Sequence, residues 1–408
     1  MPKFLTIDDY DFTDKTTLVR VDFNSPVDPK TKKIIDDTRI QAHAETTIKE
    51  LTQKGAKTVI LAHQGRPGEP DFIPLKQHAK ALSKILDKPV GYVDDIFGEK
   101  AQKAIKKLKS GDVIVLENVR TYPDEQKKGS PEEHAKSEFV KKLAPLADVF
   151  VNDAFAAAHR AHISIVGFTA VLPSVAGRIM ERELNALEKV LESPEKPCVF
   201  ILGGAKGDDS LEISKYVLKN NIADYILTGG VIGHIFLAAK DIELGKSNME
   251  FLEKKKLMGL VPGIRELMKI YSEAIKVPVD LAVEVNQKRK EIDVRELPTG
   301  YSIFDIGTQT TKKYQEFIHK AKSIVISGPM GVFENREFMT GTKKVLEALA
   351  GSDAFSLVGG GHTVAAVEEL GLANKMSYVS TAGGALIEFL MGKQLPGVVA
   401  LEKSATRT

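Results

Sequence analysis

The chain has 408 residues, 43% of them apolar and 27% charged, with a net charge of +2. That length exceeds one ordinary core and predicts two domains, the composition excludes a disordered chain, and the near-neutral balance argues against a nucleic-acid partner. No apolar run can span a bilayer, Met1-Pro-Lys-Phe-Leu5 does not read as a signal peptide, and the single Cys198 excludes internal disulfides and fits a reducing cytoplasm.

From residue 17 a unit recurs in which an apolar run ends in a polar cluster and a helical stretch follows. Leu18–Val21 ends in Asp22-Phe-Asn-Ser-Pro26, Thr58–Leu61 in Ala62-His-Gln-Gly-Arg66, and Asp112–Leu116 in Glu117-Asn-Val-Arg120. Asp148–Val151 ends in Asn152-Asp-Ala-Phe155 and runs on to His159-Arg-Ala-His162. With helices expected over Arg39–Lys54 and Leu75–Leu86 between them, this half reads as α/β with a mostly parallel sheet. Ligands of such sheets lie beyond the carboxyl ends of the strands, which is where the polar clusters fall. The chain has 12 arginines against 45 lysines, and four of the five arginines before residue 170 (Arg39, Arg66, Arg120, Arg160) lie in or just after these turns. Guanidinium forks grip carboxylate or phosphate with two bonds, so these four with His63 and Asn24 suggest a pocket for a small polyanion. The competing reading is that they pair with Asp22, Asp153 and Glu117 to tie loops together.

Pro173-Ser174 reads as the start of a long helix with Ser174 as its N-cap, ending where Glu192-Ser-Pro-Glu-Lys-Pro197 breaks it. It serves as a stiff linker of about 20 residues, ~30 Å long. The second half repeats the architecture with glycine at its strand ends: Cys198–Leu202 into Gly203-Gly204, Ala223–Thr228 into Gly229-Gly230, Ser323–Ser327 into Gly328, Phe355–Val358 into Gly359–Gly361, and Ser380-Thr-Ala-Gly-Gly384. Lys206 follows the first pair, and Asp208, Asp209 and Ser210 read as caps of the next helix. A glycine turn, a cation and a helix N-terminus suit phosphate, and glycine lets backbone approach a flat ring or a polyphosphate.

In their order along the chain these motifs, with Gly203-Gly-Ala-Lys206, Pro278-Val-Asp280, Ser327-Gly-Pro-Met-Gly-Val-Phe-Glu334 and Leu395-Pro-Gly-Val398, resemble phosphoglycerate kinase over nearly the whole sequence. The resemblance implies two Rossmann-like three-layer domains in a hinge-bending enzyme: residues 1–172 for 3-phosphoglycerate, a linker helix 173–192, residues 193–386 for nucleotide, and a tail 387–408 returning to the first domain. It implies that Asp22, Phe23, Asn24, Arg39, His63, Gln64, Gly65, Arg66, Arg120 and Arg160 hold 3-phosphoglycerate or 1,3-bisphosphoglycerate. ADP or ATP, carrying Mg²⁺, would meet Gly203, Gly204, Lys206, Gly229, Gly230, Glu334, Gly360, Gly361, His362 and Thr363. Arg39 and Lys206 would be catalytic. A monomeric cytoplasmic enzyme is expected, a dimer being the alternative. The family pattern has lysine where this chain has Ser210, a metal-binding aspartate where it has His362, and asparagine where it has Ser327; these departures resemble the archaeal branch, and no metal ligand is assigned. The rival reading is a non-catalytic nucleotide-binding protein on the same fold.

Overall fold

The computed structural model describes residues 3–407. Its contacts divide the chain into one unit running to Leu184 and resuming at Gln394, and a second over Asn185–Lys393.

The first unit is built on a six-stranded sheet of β1 (Thr16–Arg20), β2 (Lys57–Leu61), β3 (Gly91–Tyr92), β4 (Val113–Val115), β5 (Val149–Asn152) and β6 (Ser174–Ala176), in the order β3-β4-β2-β1-β5-β6. Every pairing is parallel. The apolar runs are continuous because both faces are covered, and the pleat sends alternate residues to opposite cores. Val19, Ile60, Val115 and Val151 pack into one cluster, and Leu18, Val59, Leu61, Ile114 and Phe150 into the other. The chain first winds outward from β1 through β2 and then returns to β5 on its other side. A crevice opens at that reversal, beyond the carboxyl ends of β1, β2 and β5. The expected helix over Arg39–Lys54 is present as Thr38–His43 and Lys49–Gln53 around a π turn at Ala44–Ile48.

Ser174 is not a helix cap. It pairs with Phe150 in β6, and the helix begins only at Arg178 and runs to Leu191, 14 residues. Asp153 supplies the cap instead, its Oδ1 accepting the N–H groups of Ile179 (2.8 Å) and Met180 (3.3 Å). The last helix, Pro396–Ala405, packs within the first unit, where Gly397 N–H donates to Ala158 O at 2.8 Å.

The second unit has a parallel sheet of β7 (Cys198–Leu202), β8 (Tyr225–Thr228), β9 (Ile275–Lys276), β13 (Ser323–Ser327), β14 (Phe355–Gly359) and β15 (Tyr378–Val379), ordered β15-β14-β13-β7-β8-β9. Between β9 and β13 the chain forms an antiparallel sheet of β10 (Asp280–Val285), β11 (Lys288–Asp293) and β12 (Ile303–Ile306), which the sequence reading did not anticipate. Here the winding reverses between β7 and β13, so the ends carrying Gly203 and Gly328 flank the crevice.

Candidate active site

In the first unit a cavity of about 680 Å³ opens beyond the strand ends. Asn24, His63, Arg66, Arg120 and Arg160 line it, with Glu69 and Asp71 at its side. Burial and the neighbouring guanidinium groups of Arg160 and Arg20 press Arg120 down to about 10. Arg160 is lowered chiefly by burial. Burial, followed by the charges of Arg20, Arg120 and Arg160, holds His63 well below the usual histidine range, and the same causes bring His162 to about 3. Mutually depressed cations in a crevice gain from an anion that neutralises them.

The loops around the cavity are tied by their own side chains. Asn24 Oδ1 accepts the N–H of Gly65 at 2.8 Å, and Arg120 donates to Gly65 O. Gly65 has φ +65°, and a Cβ there would lie 2.5 Å from the Asp71 backbone, so only glycine fits.

Two expected contact residues face inward. Phe23 lies wholly in the core. Gln64, also fully buried, spends its amide on Ser25 N–H and O and on Asp71 O. Both side chains are thus enclosed by the protein's own residues.

Arg39 and Asp22 stand apart from this cavity lining and pair with each other. So the loop-tying reading holds for Asp22. It does not hold for Asp153, which binds His43 Nδ1 at 2.6 Å, or for Glu117, which accepts from Tyr92 and from the Leu75 and Asn118 N–H groups. His43 Nε2 accepts the Asp22 N–H at 3.1 Å, which leaves Nδ1 as the protonated nitrogen donating to Asp153. A continuous path therefore joins Arg39 to the capped end of the helix Arg178–Leu191.

Sequence reasoning passed over Arg20 as a site residue. It is buried and donates to Ser164 Oγ, Val21 O and His63 Nδ1. Its place in the motif around Asp22 was the available signal, masked by its position inside a strand.

The second unit holds a cavity of about 370 Å³ lined by the glycine-rich strand ends, Lys206, Glu334 and His362. The glycines serve two purposes. A Cβ on Gly203 would lie 2.2 Å from Pro329 O, one on Gly328 2.1 Å from Gly203 O, and one on Gly230 2.8 Å from Gly204 N. These three let the loops seat on one another, and ligand approach is not what requires them. Gly361 and Gly383 have nothing within 4 Å and do leave open space. Helices begin at Gly207, Gly361 and Gly384 around the cavity, each with N–H groups lacking a partner in the helix itself.

The helix after β7 starts at Gly207, earlier than expected, so Asp208 and Asp209 lie in its first turn and no side chain caps it. Ser210 N–H is already bonded to Lys206 O, leaving the amides of residues 207–209 as the donor end. The Lys206 side chain is exposed, and its ammonium makes no hydrogen bond or ion pair with the described residues. Thr363, although it lines the cavity, is fully buried and accepts the Gly328 N–H at 2.7 Å. Glu334 Oε1 lies 3.3 Å from His362 Nδ1.

His234 also lines this cavity, and burial pushes it down to about 4 from 6.5. A histidine lowered in the folded state contributes stability that is full above 6.5 and is lost as pH falls toward 4. Relative to His234→Leu, the wild type is therefore expected to lose about 3 kcal/mol over that interval. Denaturant unfolding of both proteins at the two ends of the range checks this, and parallel pH dependence would refute it.

The phosphoglycerate kinase family model matches residues 7–393. The phosphoglycerate kinase of Methanobacterium bryantii is 50% identical over 398 residues, covering 98% of this chain and 97% of its own. That of Saccharolobus solfataricus is 45% identical over 404 residues, covering 99% and 98%. The chain belongs to the phosphoglycerate kinase family. The crystal structure of phosphoglycerate kinase from Pyrococcus horikoshii superposes with a TM-score of 0.89 at 42% identity, covering 99% of this chain and 100% of that one. The Coxiella burnetii enzyme gives 0.84 at 34% identity, covering 98% and 99%. The relatives from Methanobacterium bryantii and Saccharolobus solfataricus are both archaeal, in keeping with the archaeal branch that the sequence resembles.

Among the described residues no cluster of three or more His, Cys, Asp or Glu forms a metal cage, and no helix is long and apolar enough to cross a membrane. The cavity of the second unit offers Asp209 and Glu334 as carboxylates. That set fits an ion carried in on phosphates, since Mg²⁺ commonly keeps its waters and takes only one or two protein carboxylates.

Proposed function

We propose that the chain transfers the acyl phosphoryl group of 1,3-bisphosphoglycerate to ADP, giving 3-phosphoglycerate and ATP, reversibly and in the cytoplasm, with a carboxyl group as acceptor in the reverse direction. One observation carries this reading: the guanidinium-lined cavity stands in one unit, and the glycine-floored cavity with helix N-termini and an uncommitted lysine stands in the other. The first suits a small polyanion and the second a nucleotide polyphosphate.

The acceptor carboxylate is ionised at neutral pH, with a pKa near ~3.5, so no general base is needed. Catalysis then consists of aligning two substrates and offsetting charge on the phosphoryl group in flight. Arg66, Arg120 and Arg160 grip the acid, with Asn24 and His63 as hydrogen-bonding partners. Because arginine can only donate, the bond from Arg20 makes His63 Nδ1 an acceptor and leaves the proton on Nε2. His63 is thus a donor to the ligand. Lys206 and the amides at the start of the helix Gly207–Lys219 hold the nucleotide phosphates. Mg²⁺, brought by the nucleotide and met by Asp209, would cancel phosphate charge. Arg39 and Lys206 attend the transferring group, and transfer follows substrate-driven hinge closure.

A coupled assay of ADP formation from MgATP tests the proposal. Turnover that depends strictly on 3-phosphoglycerate is expected. Nucleotide binding without such turnover would overturn it in favour of a non-catalytic nucleotide-binding protein.

A further inference from the structure

Glu125 lies 1% exposed beneath the acid pocket and does not line it. Its carboxylate is spent on Ser164, whose Oγ–H donates to Oε1 at 2.5 Å and whose N–H donates to Oε2 at 3.0 Å. Ser164 is fully buried in the π turn Ile163–Gly167, and Ile163 N–H donates to the Glu125 carbonyl at 3.2 Å. Ser164 Oγ in turn accepts Arg20 Nε–H at 2.8 Å, and Arg20 Nη2–H donates to His63 Nδ1 at 3.0 Å.

Every proton along this chain has one consistent place. A hydroxyl that accepts from Arg20 sends its own hydrogen elsewhere, and Glu125 Oε1 at 2.5 Å accepts it; burial pushes that carboxyl up to about 7, while the Arg20 charge and the two Ser164 donors pull it back toward the ionised form. Arg20 cannot give up its proton to relieve the crowd of Arg66, Arg120 and Arg160, so its charge needs a buried counter-charge. Glu125 is the buried carboxylate whose charge acts most strongly on it. A carboxyl group this costly to bury, and serving no part of the cavity wall, is accounted for by what it holds in place.

We propose that Glu125 is a positioning residue for 3-phosphoglycerate: through Ser164 and Arg20 it fixes His63 with Nδ1 as acceptor, so that Nε2–H is presented to the bound acid. The claim rests on the proposed assignment of this pocket to 3-phosphoglycerate.

Its sign separates it from a simple charge effect. Glu125→Gln removes a negative charge near an anion site, which by Coulomb attraction alone lowers KM for 3-phosphoglycerate. The same change puts an amide donor against one of the two Ser164 donors whichever way the amide is turned, so loss of positioning raises KM. Glu125→Gln is expected to raise KM for 3-phosphoglycerate about tenfold, the scale of one charge-assisted hydrogen bond. KM for nucleotide should stay within about twofold, because the other site is untouched. Ser164→Ala changes no charge and removes little volume, and it is expected to move KM the same way.

Nitrogen-15 spectra of histidine-labelled, ligand-free protein supply the readout that a merely structural role would not move. His63 should be the Nε2–H tautomer in the wild type and a mixture of tautomers in both variants. A fall in KM for Glu125→Gln, or an unmoved His63 tautomer in folded Glu125→Gln and Ser164→Ala, would overturn the proposal. Wild-type protein that neither binds nor turns over 3-phosphoglycerate would instead defeat the pocket assignment and with it the substrate part of this claim, while the spectra would still decide whether Glu125 sets His63.

Discussion

Replacing Lys206 by alanine is expected to lower kcat by ~100-fold or more, the scale for removing one preorganised electrostatic donor. Lys206 lines the cavity of the second unit and precedes the helix Gly207–Lys219, and its side chain is committed to no described residue. The neighbouring amides supply further donors, but Asp208 and Asp209 in the same turn add negative charge, so a single cation must outweigh them. The family's second lysine is absent, and Ser210 in its place is only 6% exposed with its N–H bonded to Lys206 O. A lysine at 210 would have to leave that packed position. Ser210→Lys is therefore expected to be neutral or harmful. Steady-state kinetics of the three proteins decide the matter: a large gain in kcat for Ser210→Lys would mean a degraded site awaiting repair, and near-normal turnover of Lys206→Ala would remove the phosphate role.

The second large effect concerns Arg39. In the proposed mechanism its fork meets charge that develops during transfer, so its replacement by Ala or Lys is expected to lower kcat by roughly a hundredfold, a barrier increase of ~3 kcal/mol. The structure gives it a different place from the other arginines: its side chain is 39% exposed, paired with Asp22 and outside the acid cavity wall. Arg120 is buried in that wall and holds Gly65 O. Arg120→Ala should thus act mainly on KM for 3-phosphoglycerate, weakening ground and transition states alike. Equal, small changes at both positions would dissolve the distinction between gripping the acid and serving the transfer.

Both cavities could be located from sequence because parallel strands buried on two faces leave unbroken apolar runs, and crevices open where such runs end. What escaped was set by contacts distant in sequence. Glu125 stands in Pro123-Asp-Glu-Gln-Lys-Lys128, a stretch that reads as solvated surface, and nothing local reveals that its partner is Ser164, 39 residues on. The strand Lys288–Asp293 carries Lys, Arg, Lys, Glu and Asp on a mostly exposed edge, so no apolar alternation marked it. Ser174 after Pro173 had the composition of a cap, but register with Phe150 claimed it for the sheet. Glycine at the strand ends was visible, but which glycines face a ligand and which face another loop depends on how β7, β8 and β13 lie side by side.

That last division constrains how the proposed nucleotide site can evolve or be redesigned. Gly203, Gly230 and Gly328 form an interlocked masonry: any side chain added to one collides with the backbone of another loop, so no single substitution there can reshape the site without displacing a neighbour. Diversification has to proceed along the margin, at residues such as Val231, His234 and Ile303, which line the same cavity without belonging to the interlock. A library aimed at altered nucleotide preference should hold those three glycines constant and randomise that margin.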